Sequence, residues 1–198
     1  MEKKKLLLKE KLKYENVYEK EEYNKNKDWK KRKNKKSIDD ILKLKPLSII
    51  DVGCGRNGLK KEILNQSNIK KFIGVDIAAK EADIISSADN IPCKNNEFDL
   101  LVSLDVLEHI PESLIEDTLK EWARVSKRFY LKIAMFEEHH SLSGEHLHLC
   151  VKKHDWWEKK LKKYTEVIKK ELITGTLGKF DSYSHVIFFC EKKENIDL

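Results

Sequence analysis

Apolar positions fall into short runs broken by turn residues, with amphipathic stretches between them. Ser48–Val52, Lys71–Asp76, Phe98–Leu104 and Phe129–Met135 are rich in β-branched and aromatic residues and have the length of buried strands. Ala82–Ser86 reads as a shorter strand, and Val167–Thr174 and Ser184–Cys190 as a last pair. Gly175 and Gly178 lie between the two, which predicts an antiparallel connection. The interval between the second and third strands is too short for a crossover helix.

Helical periodicity fills most other gaps. Leu59–Gln66 follows the first strand, and a helix opening at Pro111 carries Leu114, Ile115, Thr118, Leu119, Trp122 and Val125 on one face. Lys153–Tyr164 reads as another. Ser37 looks like an N-cap ahead of Ile38, Ile41, Leu42 and Leu44, a helix that Pro46 ends. Residues 3–36 lack Gly and Pro and place Leu8, Leu12, Tyr14, Val17, Tyr18, Tyr23 and Trp29 among charges. That pattern predicts a partly amphipathic helix anchored by its apolar residues, then a polar stretch. Strands alternating with helices imply an α/β fold, a doubly wound, mostly parallel sheet. The expected organisation is a basic helical segment over 1–36 and one domain over 37–198.

Charge sharpens that division. Of the net +6, residues 1–36 hold 15 Lys plus Arg against 7 Asp plus Glu, so the rest of the chain sums to −2. A basic arm suits nucleic acid, whereas interleaved acids suit a solvated helix. No apolar run approaches the ~18 residues that span a bilayer, and the expected location is cytoplasmic. Cys54, Cys93, Cys150 and Cys190 form no C-x-x-C pair and are expected to be reduced and structural.

The candidate chemistry starts where the first strand ends. Gly53, Gly55 and Gly58 follow Asp51 within a turn where backbone can approach a ligand. Gly53-x-Gly55-x-x-Gly58 with Asp76 matches a dinucleotide fingerprint, so a nicotinamide cofactor is one reading. An acid just before the glycines is unfavourable beside a pyrophosphate, and no hydride-transfer constellation is visible.

Four motifs occur in order: Asp51-Val-Gly-Cys-Gly, Asp76, Ala88-Asp89 before Ile91-Pro92, and Asp105-Val-Leu-Glu-His109. Together they resemble the class I S-adenosylmethionine-dependent methyltransferases. The resemblance implies a Rossmann-like seven-stranded sheet and S-adenosylmethionine as cofactor. It assigns Asp51, Gly53, Cys54 and Gly55 to the methionine end, Asp76 and Ile77 to the ribose, Ala88 and Asp89 to the adenine, and Asp105 and Val106 to the surroundings of the sulfonium. It gives His109 no catalytic role, and Glu108 reads as a packing or hydrogen-bonding residue.

Beyond the fifth strand lies a histidine-rich stretch with His139, His140, His146 and His148 beside Glu137, Glu138 and Glu145. Three readings stay open for it: a general base, a divalent-metal site of two histidines and a carboxylate, or a polar substrate loop. The candidate catalytic residues are His140, His146 and His148, and no metal ligand is assigned. Gly144–Val151 with Asp155-Trp156-Trp157 is similar to a stretch of small bacterial and phage methyltransferases linked to surface-glycan pathways. Trp156 and Trp157 suit either stacking on a sugar or core packing. The expected activity is O-methylation of a small polar metabolite or nucleotide-activated sugar, as in capsule or lipopolysaccharide biosynthesis. Methylation of RNA or protein is the alternative that uses the basic arm, and a non-catalytic binding module is the third.

Overall fold

The computed structural model describes residues 2–20, 27–137, 146–175 and 183–194, and of 27–34 the backbone alone. Two helices, α1 (Glu2–Glu19) and α2 (Lys27–Lys43), precede the sheet. The strands are β1 (Ser48–Val52), β2 (Lys71–Asp76), β3 (Ile84–Ile85), β4 (Phe98–Leu104), β5 (Ser126–Ala134), β6 (Thr165–Thr174) and β7 (Tyr183–Lys192). Helix α3 (Gly58–Leu64) follows β1, α4 (Glu112–Val125) precedes β5 and α5 (His154–Leu161) precedes β6. A 3-10 turn, Leu107–His109, follows β4.

The sheet has the order β3-β2-β1-β4-β5-β7-β6. Pairings from β3 through β5 are parallel, and β7 runs antiparallel to both β5 and β6. This is the expected doubly wound sheet with its last strand reversed. The residues between β2 and β3 hold no helix, as their number requires.

Alternation along the strands splits the core in two. Ile50, Leu101, Phe129 and Leu131 face Ile115, Leu119 and Trp122 of α4 and Trp157 and Leu161 of α5. Ile49, Leu100, Val102 and Tyr130 face Ile38 and Ile41 of α2 and Ile63 of α3. Successive residues point to opposite faces, so each helical layer receives every second side chain. Largely apolar strands follow because both faces are covered.

Two features of the N-terminal region depart from the expected pattern. Ser37 is buried in the interior of α2 and does not cap it, because the helix begins ten residues earlier. Helix α1 turns its charged and aromatic side inward: Glu10, Lys13 and Val17 are buried, while Leu8 and Leu12 are 58% and 51% exposed. Glu10 and Lys13 satisfy one another as a buried ion pair. The helix is polar inside because it lies over polar groups, identified below. Tyr23 and the Trp29 side chain are outside the described residues.

Candidate functional site

The glycine turn is built by what cannot fit there. Gly53 has φ +79°, and a Cβ at that position would stand 2.3 Å from Val106 Cγ2. Gly55 also has a positive φ, +52°, which its lack of a side chain permits at little cost. The amides of Gly53 and Cys54 donate to the Val75 carbonyl at 2.8 and 3.1 Å, which fixes the turn against β2. Gly58 differs, since nothing lies within 4 Å of an added Cβ. A contact absent from the sequence reading is Gly74, whose Cβ would press on Asn57 and Cys54.

Asp76 organises the edge. Its Oδ1 accepts the amides of Ala78 and Ala79, both at 2.9 Å. Its Oδ2 accepts the Gly55 amide at 3.0 Å and the Tyr18 hydroxyl at 3.1 Å. Ile77 follows directly and is half-buried. Asp51 is buried beneath this turn, 4% exposed. No basic side chain among the described residues pairs with it. Burial, and then the charge of Asp76, pushes the Asp51 carboxyl up to about 7.

Asp89 and Ala88 lie in the loop after β3. Lys3 bridges Asp89 and Asp117, both at 2.7 Å. Burial works to raise the Asp89 carboxyl, but hydrogen bonds from Lys3 and Ser87 hold it below the usual range. The Ala88 carbonyl accepts the Trp122 indole N–H at 3.0 Å. Arg124 fastens the following residues by donating to the carbonyls of Ile91 and Cys93.

The turn after β4 carries the most unusual chemistry. Asp105 adopts the left-handed region with φ 56°, a conformation a non-glycine residue rarely takes outside constrained sites. Its Oδ2 meets the ammonium of Lys132 at 2.9 Å, and its Oδ1 lies 3.4 Å from His185 Nε2. Lys132 is itself buried. Glu108 is fully buried, with Oε1 accepting the Ala134 amide at 3.1 Å. Burial, and then Asp105, raises the Glu108 carboxyl well above its ordinary value. His109 is lowered to about 3 by burial and then by His148.

Of the candidate catalytic histidines that the structure describes, His148 reaches this turn and His146 does not. Its ring stands edge-on to His109 with centroids 4.7 Å apart, and its Nδ1 is 2.6 Å from the Phe136 carbonyl. His146 is exposed, and His140 lies outside the described residues. Trp157 is core, while Trp156 carries Lys152 and Lys160 over its ring at 5.4 and 5.2 Å. Lys132 and His185 escaped the sequence reading, because on a strand they look like any polar residue among apolar ones. Register explains His185: it pairs with Ala134 at the end of β5, so the reversed β7 delivers it to the same edge.

Helix α1 roofs the whole edge. Lys3 reaches Asp89, Tyr14 reaches His109 with its hydroxyl 2.8 Å from Nδ1, and Tyr18 reaches Asp76. Arg56 donates to the Tyr18 carbonyl at 2.6 Å and ties the helix end to the glycine turn.

This sheet order, with a glycine turn and a row of acids at the carboxyl edge of its parallel strands, defines a Rossmann-like domain for an adenosine-containing cofactor. Residues 50–128 match the family model of a methyltransferase domain. Solved structures share the fold. One is the 1,6-didemethyltoxoflavin-N1-methyltransferase of Burkholderia thailandensis with bound S-adenosylhomocysteine, at a TM-score of 0.67 and 11% identity over 98% of this chain and 90% of that one. The MccD protein matches at 0.63 and 11%, over 80% and 97%. A putative S-adenosylmethionine-dependent methyltransferase of Listeria monocytogenes matches at 0.59 and 12%, over 74% and 91%. No curated protein matches the chain. The chain thus carries a match to a methyltransferase domain over residues 50–128, on a fold that it shares with these structures.

The residues present fit that cofactor. Asp51 is a buried carboxylate awaiting a cation, and the methionine ammonium is one. Gly53 leaves space that a side chain would fill, and Asp76 can receive a ribose hydroxyl on Oδ2 in place of the Tyr18 hydroxyl. When bound, the cofactor supplies an electrophilic methyl group on a sulfonium. Among the described residues, no helix is long and apolar enough to cross a membrane.

Proposed function

We propose that the enzyme methylates a hydroxyl oxygen of a small polar molecule, a metabolite or a nucleotide-activated sugar. Asp51, Gly53, Cys54 and Gly55 hold the methionine end, Asp76 and Ile77 the ribose, Ala88 and Asp89 the adenine, and Asp105 and Val106 flank the methyl group. The observation that carries the reading is the roof over the acceptor end, where the Tyr14 hydroxyl stands 2.8 Å from His109 Nδ1. Tyr14, His109 and His148 stand in contact beneath this helix, a set of polar groups that suits one small hydroxylated acceptor better than a polymer. Holding the acceptor against these groups fixes the line of attack.

Two of the six lysines of α1 are taken up within the protein, which weakens nucleic acid as acceptor. Lys3 is committed to Asp89 and Asp117, and Lys13 to Glu10. Transfer of labelled methyl from S-adenosylmethionine to separate pools of hydroxylated metabolites, nucleotide sugars, RNA and protein tests the reading. An O-methylated small product is expected. Label entering only RNA or protein would overturn it.

A further inference from the structure

We propose that Glu108, His109 and His148 form a binding site for one divalent transition-metal cation. One ligand atom from each of the three lies within 4.8 Å of the other two. Metal–ligand bonds of about 2.0–2.2 Å place neighbouring ligands roughly 3 Å apart, so a small rotation of the side chains closes the set.

Glu108 gives the strongest indication. It is 0% exposed, and among the described residues its Oε2 has no hydrogen-bond partner, while Oε1 is used by Ala134. A buried carboxylate oxygen without a donor is costly and needs a reason. A cation beside it supplies one.

His148 is held in the ligating tautomer, and the contacts of His109 permit it. His148 Nδ1 faces the Phe136 carbonyl at 2.6 Å, and His109 Nδ1 faces the Leu147 carbonyl at 3.1 Å. A carbonyl only accepts, so His148 Nδ1 bears the proton and its Nε2 keeps its lone pair; the same holds for His109 when the Tyr14 hydroxyl, 2.8 Å from its Nδ1, accepts alongside the Leu147 carbonyl. This arrangement is typical of metal-bound imidazole. The two chain segments are also clasped by backbone, since the amides of Leu149 and Cys150 donate to the Glu108 carbonyl at 2.7 and 2.8 Å. The ligands are therefore pre-positioned though His148 stands 39 residues after His109.

Two imidazoles and one carboxylate favour zinc, manganese, iron or cobalt over magnesium and calcium, which prefer all-oxygen shells. Three protein ligands leave a coordination position open to an acceptor oxygen. Resting on the oxygen-acceptor reading, the cation binds the acceptor hydroxyl and its proton leaves to solvent. The resulting alkoxide forms a C–O bond to the methyl carbon as the C–S bond breaks, with that electron pair staying on sulfur. The metal changes no oxidation state.

The test uses the full chain, stripped with chelator and titrated with Co2+ under calorimetry and visible absorption. One Co2+ per chain with d–d bands is expected. Affinity should fall more than about a hundredfold in His148→Ala and in Glu108→Gln, with S-adenosylhomocysteine binding kept in His148→Ala as proof of an intact fold. No stoichiometric Co2+ binding, or unchanged affinity in His148→Ala, would overturn the site. Failure of the cofactor assignment reads differently: S-adenosylhomocysteine would not bind, with or without Co2+.

Discussion

The hydroxyl of Tyr18 donates to Oδ2 of Asp76 at 3.1 Å, which joins the N-terminal helix to the residue proposed to receive the ribose. With the Gly55, Ala78 and Ala79 amides on the same carboxylate, Asp76 already has four donors, about its full accepting capacity. A ribose hydroxyl must displace one, and the tyrosine on a separate helix yields more easily than backbone.

Tyr18→Phe should therefore bind S-adenosylhomocysteine about three- to tenfold more tightly, the value of one ordinary hydrogen bond no longer lost on binding. Calorimetry reads this directly, and equal or weaker binding would show that Tyr18 closes on the cofactor and does not compete with it.

Asp51 makes binding pH-dependent. Its carboxyl is pushed up to about 7 by burial and then by Asp76, against about 3.9 in an unfolded chain. Between those values the folded, cofactor-free protein keeps a proton that the unfolded chain has lost. Its contribution to stability is therefore fully present below about pH 4 and lost as pH rises through about 7. The methionine ammonium reverses the preference by favouring the carboxylate. Affinity for S-adenosylhomocysteine should rise up to about tenfold per pH unit below 7 and then level off, with a proton released on binding at low pH. Calorimetry in buffers of different ionisation enthalpy measures that proton, and a flat profile would contradict the role of Asp51.

The three glycines of the turn should not respond alike. Gly53→Ala forces a Cβ into Val106 at positive φ and should abolish cofactor binding, with several kcal/mol lost in stability. Gly58→Ala meets open space at the start of α3 and should be neutral or stabilise by about 0.4–1 kcal/mol. Thermal melts with and without S-adenosylhomocysteine separate the two.

That contrast shows how far the sequence carries. Strands β1, β2 and β4 were legible to the residue, because apolar runs bounded by turns have one reading in a sheet covered on both faces. The acids at their ends were legible because they sit at fixed distances along the chain. Helix α1 was not: an apolar face is expected to turn inward, and here Tyr14, Tyr18 and the Glu10–Lys13 pair do so while Leu8 and Leu12 face outward. Glu108 and His109 read as structural because the partner that gives them chemistry, His148, comes from beyond the next strand. His185 was hidden although the antiparallel last strand was expected, because the register that sets it beside Ala134 is not written in any local pattern.

Binding of S-adenosylhomocysteine to the wild-type chain and to Asp76→Ala is the most direct test of the central claim. Saturable one-to-one binding by the wild type, lost or weakened at least a hundredfold by the substitution, is the predicted result. No binding by the wild type, or equal binding by both, would contradict the assignment of this edge to the methyl donor.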